Sequence, residues 1–234
     1  MNVTCSQPVL KFNGPSQAAP PLYLCGIPGR VGGAATKITH LIRLLHRDFR
    51  ITVVAPELWA LKDKRVRQIL APYGIPCVLL KELPKRLDGV ALGICDGDFF
   101  ISGRARGLKE RGLRLVWSNE MMFPFKGEAE AAKEGLVDRV LFVSPFQASA
   151  FAEIHQSTAS LTTGNYIDPE DKLLVHGESG FICRDFQEFR SCVRELYEDY
   201  PLRLRISRNG AAHARERLCN PEEHRRRWIQ ALTF

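Results

Sequence analysis

The sequence predicts an α/β protein, a Rossmann-like parallel sheet with helices on both faces, followed by a C-terminal helical tail. Three observations predict it. Short apolar runs alternate with amphipathic stretches along residues 21–169. A glycine-rich turn, PGRVGG, joins the first apolar run to the first amphipathic stretch. Beyond Pro169 the apolar runs stop and helical patterns follow one another. Strands buried on both faces read as continuous apolar runs, and their alternation with helices builds a parallel sheet covered on both sides.

Residues 22–56 hold the first unit: a buried strand, the glycine turn, an amphipathic helix and a second strand at 50–56. Leu58, Leu61, Val66, Ile69 and Leu70 give an apolar face to a helix at 57–73, with Gly74 where a C-cap belongs. Strands follow at 75–80 and 89–95. Asp96-Gly97-Asp98 leads into a basic helix that runs to Arg111 and ends at Gly112, before a strand at 113–117. A short helix at 127–135, a strand at 138–144, a helix opened by Pro145 and a last short strand at 161–167 complete the alternation. The tail reads as helices at 186–200, 202–218 and 221–232. The last begins with Asn220-Pro221-Glu222-Glu223, a cap, a first-position proline and first-turn acids.

The 234 residues, 45% hydrophobic, supply a core for one large domain or two small ones. No apolar run reaches the ~20 residues that span a bilayer. Residues 1–20 lack the basic start and apolar core of a secretion signal and read as a loose polar leader. Seven cysteines, scattered and without CxxC spacing, are expected to be reduced thiols of a cytoplasmic protein. His40, His46, His155, His213 and His224 form no recognisable ligand set. Net charge is +7, and much of the excess is arginine between Arg203 and Arg227. That cluster is either a solvated helix face or a surface drawn to anionic lipid headgroups or a phosphorylated substrate. With no groove-entering motif and no interleaved aromatics, nucleic acid is not an expected partner.

Ligands of open parallel sheets sit beyond the carboxyl ends of the strands. The residues there are 26–33, 96–98, 118–120 and 144–145. Gly32 and Gly33 either let a phosphate approach free helix-start N–H groups or only make a tight turn. Arg30 and Lys37 add positive charge to that phosphate site or are plain surface residues. Asp96 and Asp98 form either an acid-x-acid pair for a divalent metal or a helix cap. Asn119 and Glu120 either bind acceptor hydroxyls, Glu120 also assisting deprotonation, or cap a loop. Ser144 joins the binding candidates by position, but it lies outside G-x-S-x-G, so a hydrolase elbow is unsupported. Asn165 lines the cleft or makes a turn. The spacing of Glu120 and Glu128 reads as coincidence.

Two stretches resemble the retaining, GT-B type glycosyltransferases of family 4. PGRVGGAATKITHLIRLL with ITVVAPE, then DRVLFVSPFQASAF, then TGNYIDP resemble the family's N-terminal domain, ending at its "NgvD" segment. VHGESGFI, with His176, Gly177 and Gly180, resembles its "dGetGflv" turn, and the closing helices follow down to RRWIQAL. The family sets the core of its second Rossmann domain between those segments, with the basic residues and paired glutamates that hold the donor. Here only Glu170 to Val175 lie there. A histidine often found near the position of Asn119 and Glu120 is also missing. The resemblance implies an acceptor-side domain at 21–169 and a remnant of the donor domain at 170–234. It implies sugar transfer from a nucleotide-sugar to an acceptor hydroxyl, with retention and without a metal. The nucleotide-sugar enters as substrate, not as a resident cofactor. Two other readings stay open. One is a non-catalytic remnant that binds an acceptor or a partner, including another copy of itself. The other is a metal-dependent GT-A-like transferase using Asp96 and Asp98.

Overall fold

The computed structural model describes residues 18–29, 32–94, 96, 98–162, 174–218 and 220–234. They form two compact units, one of residues to Thr162 together with Ile229–Phe234, the other of Thr163–Trp228.

The first unit is built on a seven-stranded, all-parallel sheet: β1 (Pro21–Cys25), β2 (Arg50–Ala55), β3 (Cys77–Leu79), β4 (Val90–Ile94), β5 (Arg114–Asn119), β6 (Arg139–Phe142) and β7 (Ala159–Thr162). The strand order is β3-β2-β1-β4-β5-β6-β7. The chain therefore winds outward from β1 in one direction, then returns to β4 and winds in the other. Right-handed crossovers put the helices of the two halves on opposite faces. The expected α/β class is borne out.

Helix α1 (Gly33–Leu45) buries Ile38, Leu41, Ile42 and Leu45, the i, i+3, i+4, i+7 face legible in the sequence. The helix expected at 57–73 is two helices, α2 (Leu58–Lys62) and α3 (Lys64–Leu70). Asp63 divides them: its backbone is extended (ψ 120°) and its carboxylate accepts from the Arg65 N–H at 2.6 Å. A short acidic side chain that satisfies backbone N–H groups locally competes with helix continuation. Gly74 does take the left-handed conformation (φ 62°) that ends this segment. Helices α4 (Arg104–Glu110), α5 (Glu128–Lys133) and α6 (Pro145–Ala150) complete the unit. The last strand lies at Ala159–Thr162, earlier than expected, and most of the 161–167 stretch lies outside the described residues.

The core holds Trp117 stacked on Phe99, with centroids 5.6 Å apart and planes 5° from parallel. Gly93, on the neighbouring β4, makes room for both: a Cβ there would sit 2.8 Å from Phe99 and 2.9 Å from Trp117. The chain's last residues add an outer brace. Arg139 of β6 donates through Nη1 to the carbonyls of Ala231 at 2.6 Å and Thr233 at 3.0 Å, and its guanidinium lies 4.1 Å from the Phe234 ring centre.

The second unit is mainly helical. Its described residues include a tight turn in which Gly177 N–H donates to the Gly180 carbonyl at 2.8 Å, and the His176 ring bonds Ile182. Helices α7 (Phe186–Glu198) and α8 (Tyr200–His213) follow. Asp199 ends the first and caps the second, accepting from the Leu202 N–H at 2.8 Å. A wider π turn, Ala214–Leu218, ends what the sequence suggests as one continuous helix. Helix α9 (Pro221–Leu232) has the expected bounds, with the Asn220 side chain accepting from the N–H groups of Glu222 and Glu223.

Candidate functional site

The winding reverses between β1 and β4, and the carboxyl ends of the strands at such a reversal are the usual ligand position in parallel sheets. Four of the sequence candidates gather on this side. The backbone turns at Gly26, where φ is 151° and a Cβ would lie 2.5 Å from Ile38 Cδ1, so only glycine fits. The loop then folds back on α1. Thr39, almost fully buried, donates through Oγ1 to the Gly29 carbonyl at 2.9 Å, and the Gly29 N–H lies 3.0 Å from the same oxygen. The Gly29 amide is thus engaged internally.

Gly32 is the cap residue of α1, with φ 89° and no side-chain cap bond. Space is open above both Gly32 and Gly33, and the first turn holds no acidic residue. Lys37 lies one turn beyond Gly33 on the same side of the helix. Its ammonium pairs with the carboxylate of Glu120, just past the end of β5, and the Ser118 hydroxyl donates to the same carboxylate oxygen at 2.5 Å. Both charged side chains keep some exposure, 18% and 15%. Gly32, Gly33, Lys37 and Glu120 therefore form one neighbourhood. Arg30 and Asn165 lie outside the described residues.

The other candidates serve the fold. Asn119 is fully buried. Its side-chain NH₂ donates to Glu128 at 3.2 Å and its carbonyl accepts the Met121 N–H at 2.9 Å, so it presents nothing to a cleft. Ser144 caps α6, its hydroxyl accepting from the Gln147 N–H at 3.1 Å. Asp96 Oδ2 lies 2.8 Å from Nη2 of the buried Arg104, and Oδ1 accepts from the Asp98 N–H at 3.1 Å. Both Asp96 oxygens are thus in use as an ion pair and a turn cap, and a divalent cation would have to displace Arg104. No group of three or more metal-ligating side chains occurs among the described residues.

Cys25, at the end of β1, is buried in the core. Burial pushes its thiol up to about 12, with Arg104 opposing the rise and Asp96 adding to it. A raised folded-state value means that folding holds the proton more tightly than the unfolded chain does. This contribution is complete below the ordinary thiol value of 9.0 and is lost as pH rises toward about 12. Cys25→Ala should therefore flatten the fall in melting temperature across that interval. In the native protein at neutral pH, Cys25 should resist alkylation until the chain unfolds. Rapid labelling of native Cys25 contradicts this environment.

Beneath the rim lies a network absent from the sequence reading. Glu128, with no exposed surface, accepts from Trp117 Nε1 at 3.0 Å, from Asn119 and from the Phe125 N–H at 2.9 Å, and pairs with His155 Nε2 at 2.8 Å. The buried Gln147 extends it, donating to the Met121 carbonyl at 2.8 Å and accepting from the Val143 N–H at 2.8 Å. One signal pointed here: a tryptophan inside a buried strand requires an acceptor for its indole N–H. Glu120 and Glu128 have different partners and different depths, so their spacing does not build one carboxylate pair.

Beside the α1 start is a cleft of about 620 Å³, lined by Ile27, Pro28, Ala35, Trp59, Arg65 and Ile69 among others. This volume is in the range of small-molecule sites. No membrane-spanning helix, long and apolar enough, occurs among the described residues.

The strand order and the open helix start at the winding reversal define a Rossmann-like α/β protein. No known family matches the chain by sequence, and no curated protein matches it. Among solved structures it is similar to the crystal structure of Anabaena Alr3699/HepE in complex with UDP and glucose. Identity is 15% and the TM-score 0.41, over 65% of this chain and 48% of that one. The chain thus spans about half the length of that structure.

Proposed function

We propose that this chain is a glycosyltransferase-like protein of the GT-B, family 4 kind. In this reading it moves a sugar from a nucleotide-sugar to an acceptor hydroxyl, with retention and without a metal. The observation that carries the reading is the pairing of Lys37 with Glu120 beside the open start of α1. The order of the sequence motifs supports it. Lys37 orients the Glu120 carboxylate, so that it can accept a hydrogen bond from the acceptor hydroxyl. The α1 N–H groups and Lys37, with Arg30 nearby in sequence, would stabilise the departing diphosphate. Asn165 stays with the cleft lining in this proposal. The protein would work in the cytoplasm, with its arginine-rich helices in peripheral contact with anionic membrane.

The neighbouring cleft would take an apolar or ring-bearing part of the acceptor against Trp59. Trp59 is 53% exposed, whereas Trp117 and Trp228 are buried. Such a ligand should quench and blue-shift the exposed component of the fluorescence, and Trp59→Leu should abolish that response. An equal response in the variant contradicts this placement.

A second reading, a non-catalytic partner-binding remnant, is favoured by the exposed apolar residues Ile101, Met122, Phe123 and Phe146, each following the carboxyl end of a strand. Turnover separates the two. Nucleoside diphosphate released in the presence of mixed hydroxyl acceptors, with an anomerically retained product, supports transfer. A cooperatively folded protein that releases none from any donor supports the remnant.

A further inference from the structure

Two free cysteines sit together in the second unit. Cys192 lies in the second turn of α7, within the half-buried row Glu188, Cys192 and Leu196. Cys183 lies just before the helix, and the Cys192 thiol donates a hydrogen bond to its sulfur. Both chain neighbours of Cys183 are anchored. Ile182 is bonded to the His176 ring at 3.1 Å. The Arg184 N–H donates to the Glu188 carboxylate at 2.7 Å, and the Glu188 N–H donates in turn to the Asp185 side chain at 2.8 Å. These bonds hold Cys183 over the row that carries Cys192, one helical turn beyond Glu188. Both thiols are half-buried, so a small solute reaches them, unlike Cys25 in the core.

We propose that Cys183 and Cys192 are a redox modification site, a dithiol that closes reversibly to a disulfide with a low-molecular-weight disulfide such as oxidised glutathione as the oxidant. Cys183, as its thiolate, attacks one sulfur of the oxidant, forms a mixed disulfide and expels the first small thiol. The Cys192 sulfur then attacks Cys183 Sγ and expels the second. Two electrons pass from the pair to the oxidant, and the two cysteine protons end on the two released thiols. Burial and the bond to Cys183 raise the Cys192 thiol above its ordinary value of 9.0, which gives Cys192 the second, resolving role. No residue of α7 is buried, so the helix draws little stability from packing. The bridge pins its second turn to the preceding segment across a short loop and removes that freedom from the opened chain. The reduced and oxidised forms therefore differ in how firmly α7 is held. This inference does not depend on the transferase reading.

The test is incubation of the folded full chain with excess oxidised glutathione, followed by acid quench, alkylation and trypsin. Trypsin cuts after Lys172, Arg184, Arg190 and Arg194, so the two cysteines fall in separate peptides, 173–184 and 191–194. Mass spectrometry should find these peptides joined, and reduced glutathione should separate them again. Cys192→Ser should instead accumulate a glutathione adduct on Cys183, because the resolving thiol is gone. Hydrogen exchange of the α7 amides should slow about tenfold or more when the bridge forms. Unchanged circular dichroism keeps the variant interpretable. Thiols that stay open to alkylation in excess oxidised glutathione overturn the proposal. So does a persistent glutathione adduct on Cys183 of the unaltered chain, a bridge to a different cysteine or to a second chain, or a joined pair that leaves α7 exchange unchanged.

Discussion

Glu128→Ala is expected to lower folding stability by about 3–5 kcal/mol, because it orphans several buried hydrogen-bond donors at once. The carboxylate has no exposed surface and serves four partners: Trp117, Asn119, His155 and the Phe125 N–H. Its removal leaves three donors and an imidazole without their acceptor in a site that water cannot easily reach. An orphaned buried donor costs about 1–3 kcal/mol, so the effect should approach the upper part of the range. His155 Nδ1 already lacks a hydrogen-bond partner among the described residues, so loss of Glu128 leaves the buried ring held by packing, including its edge-on contact with Phe142. Denaturant unfolding measures the loss. Glu128→Gln keeps the shape and one acceptor oxygen and should cost less than half as much. A loss below about 1 kcal/mol for the alanine variant would mean that water or a relaxed loop replaces the carboxylate.

The second large effect belongs to the rim. On the proposed transferase reading, Glu120→Ala should reduce sugar transfer about 100-fold or more, the lower end of what a positioned acid or base contributes. It should hardly alter stability, because partly exposed ion pairs contribute about 1 kcal/mol or less. Lys37→Ala should act differently. It removes the cation beside the α1 start, so it should weaken nucleotide-sugar binding as well as slow turnover. The pair is thus separable: the Glu120 variant loses mainly kcat, the Lys37 variant both KM and kcat. Equal, small effects in both variants would reduce the pair to a surface brace.

How far the sequence led can be traced through these residues. The sheet was legible because its strands are buried on both faces and so read as unbroken apolar runs. The open turn at Gly32 and Gly33 was legible because glycine accepts the positive φ, 89° at Gly32, that the turn requires. The meeting of Lys37 with Glu120, separated by 83 residues, depends on β1 and β5 both flanking β4, which local pattern does not encode. Asn119 illustrates the opposite limit. Its position after a strand suggested a cleft-facing group. Its neighbours Glu128 and Gln147 come from later helices and turn it inward. Asp63 shows a local competition instead, with side-chain capping overriding the apolar periodicity of 57–73. The π turn at Ala214–Leu218 interrupts a sequence pattern that carries no glycine or proline over those residues, and nothing in the structure explains it.

The central claim is that the start of α1, with Lys37 and Glu120, holds a nucleotide-sugar. A thermal-shift titration of the full chain with a panel of nucleotide-sugars, with and without manganese, tests it most directly. The account predicts a saturable, metal-independent rise in melting temperature with at least one donor, diminished by Lys37→Ala; a ligand at 100 times its dissociation constant adds about 2.7 kcal/mol. No rise with any donor from a cooperatively unfolding sample, or a rise that requires manganese and survives Lys37→Ala, would contradict it.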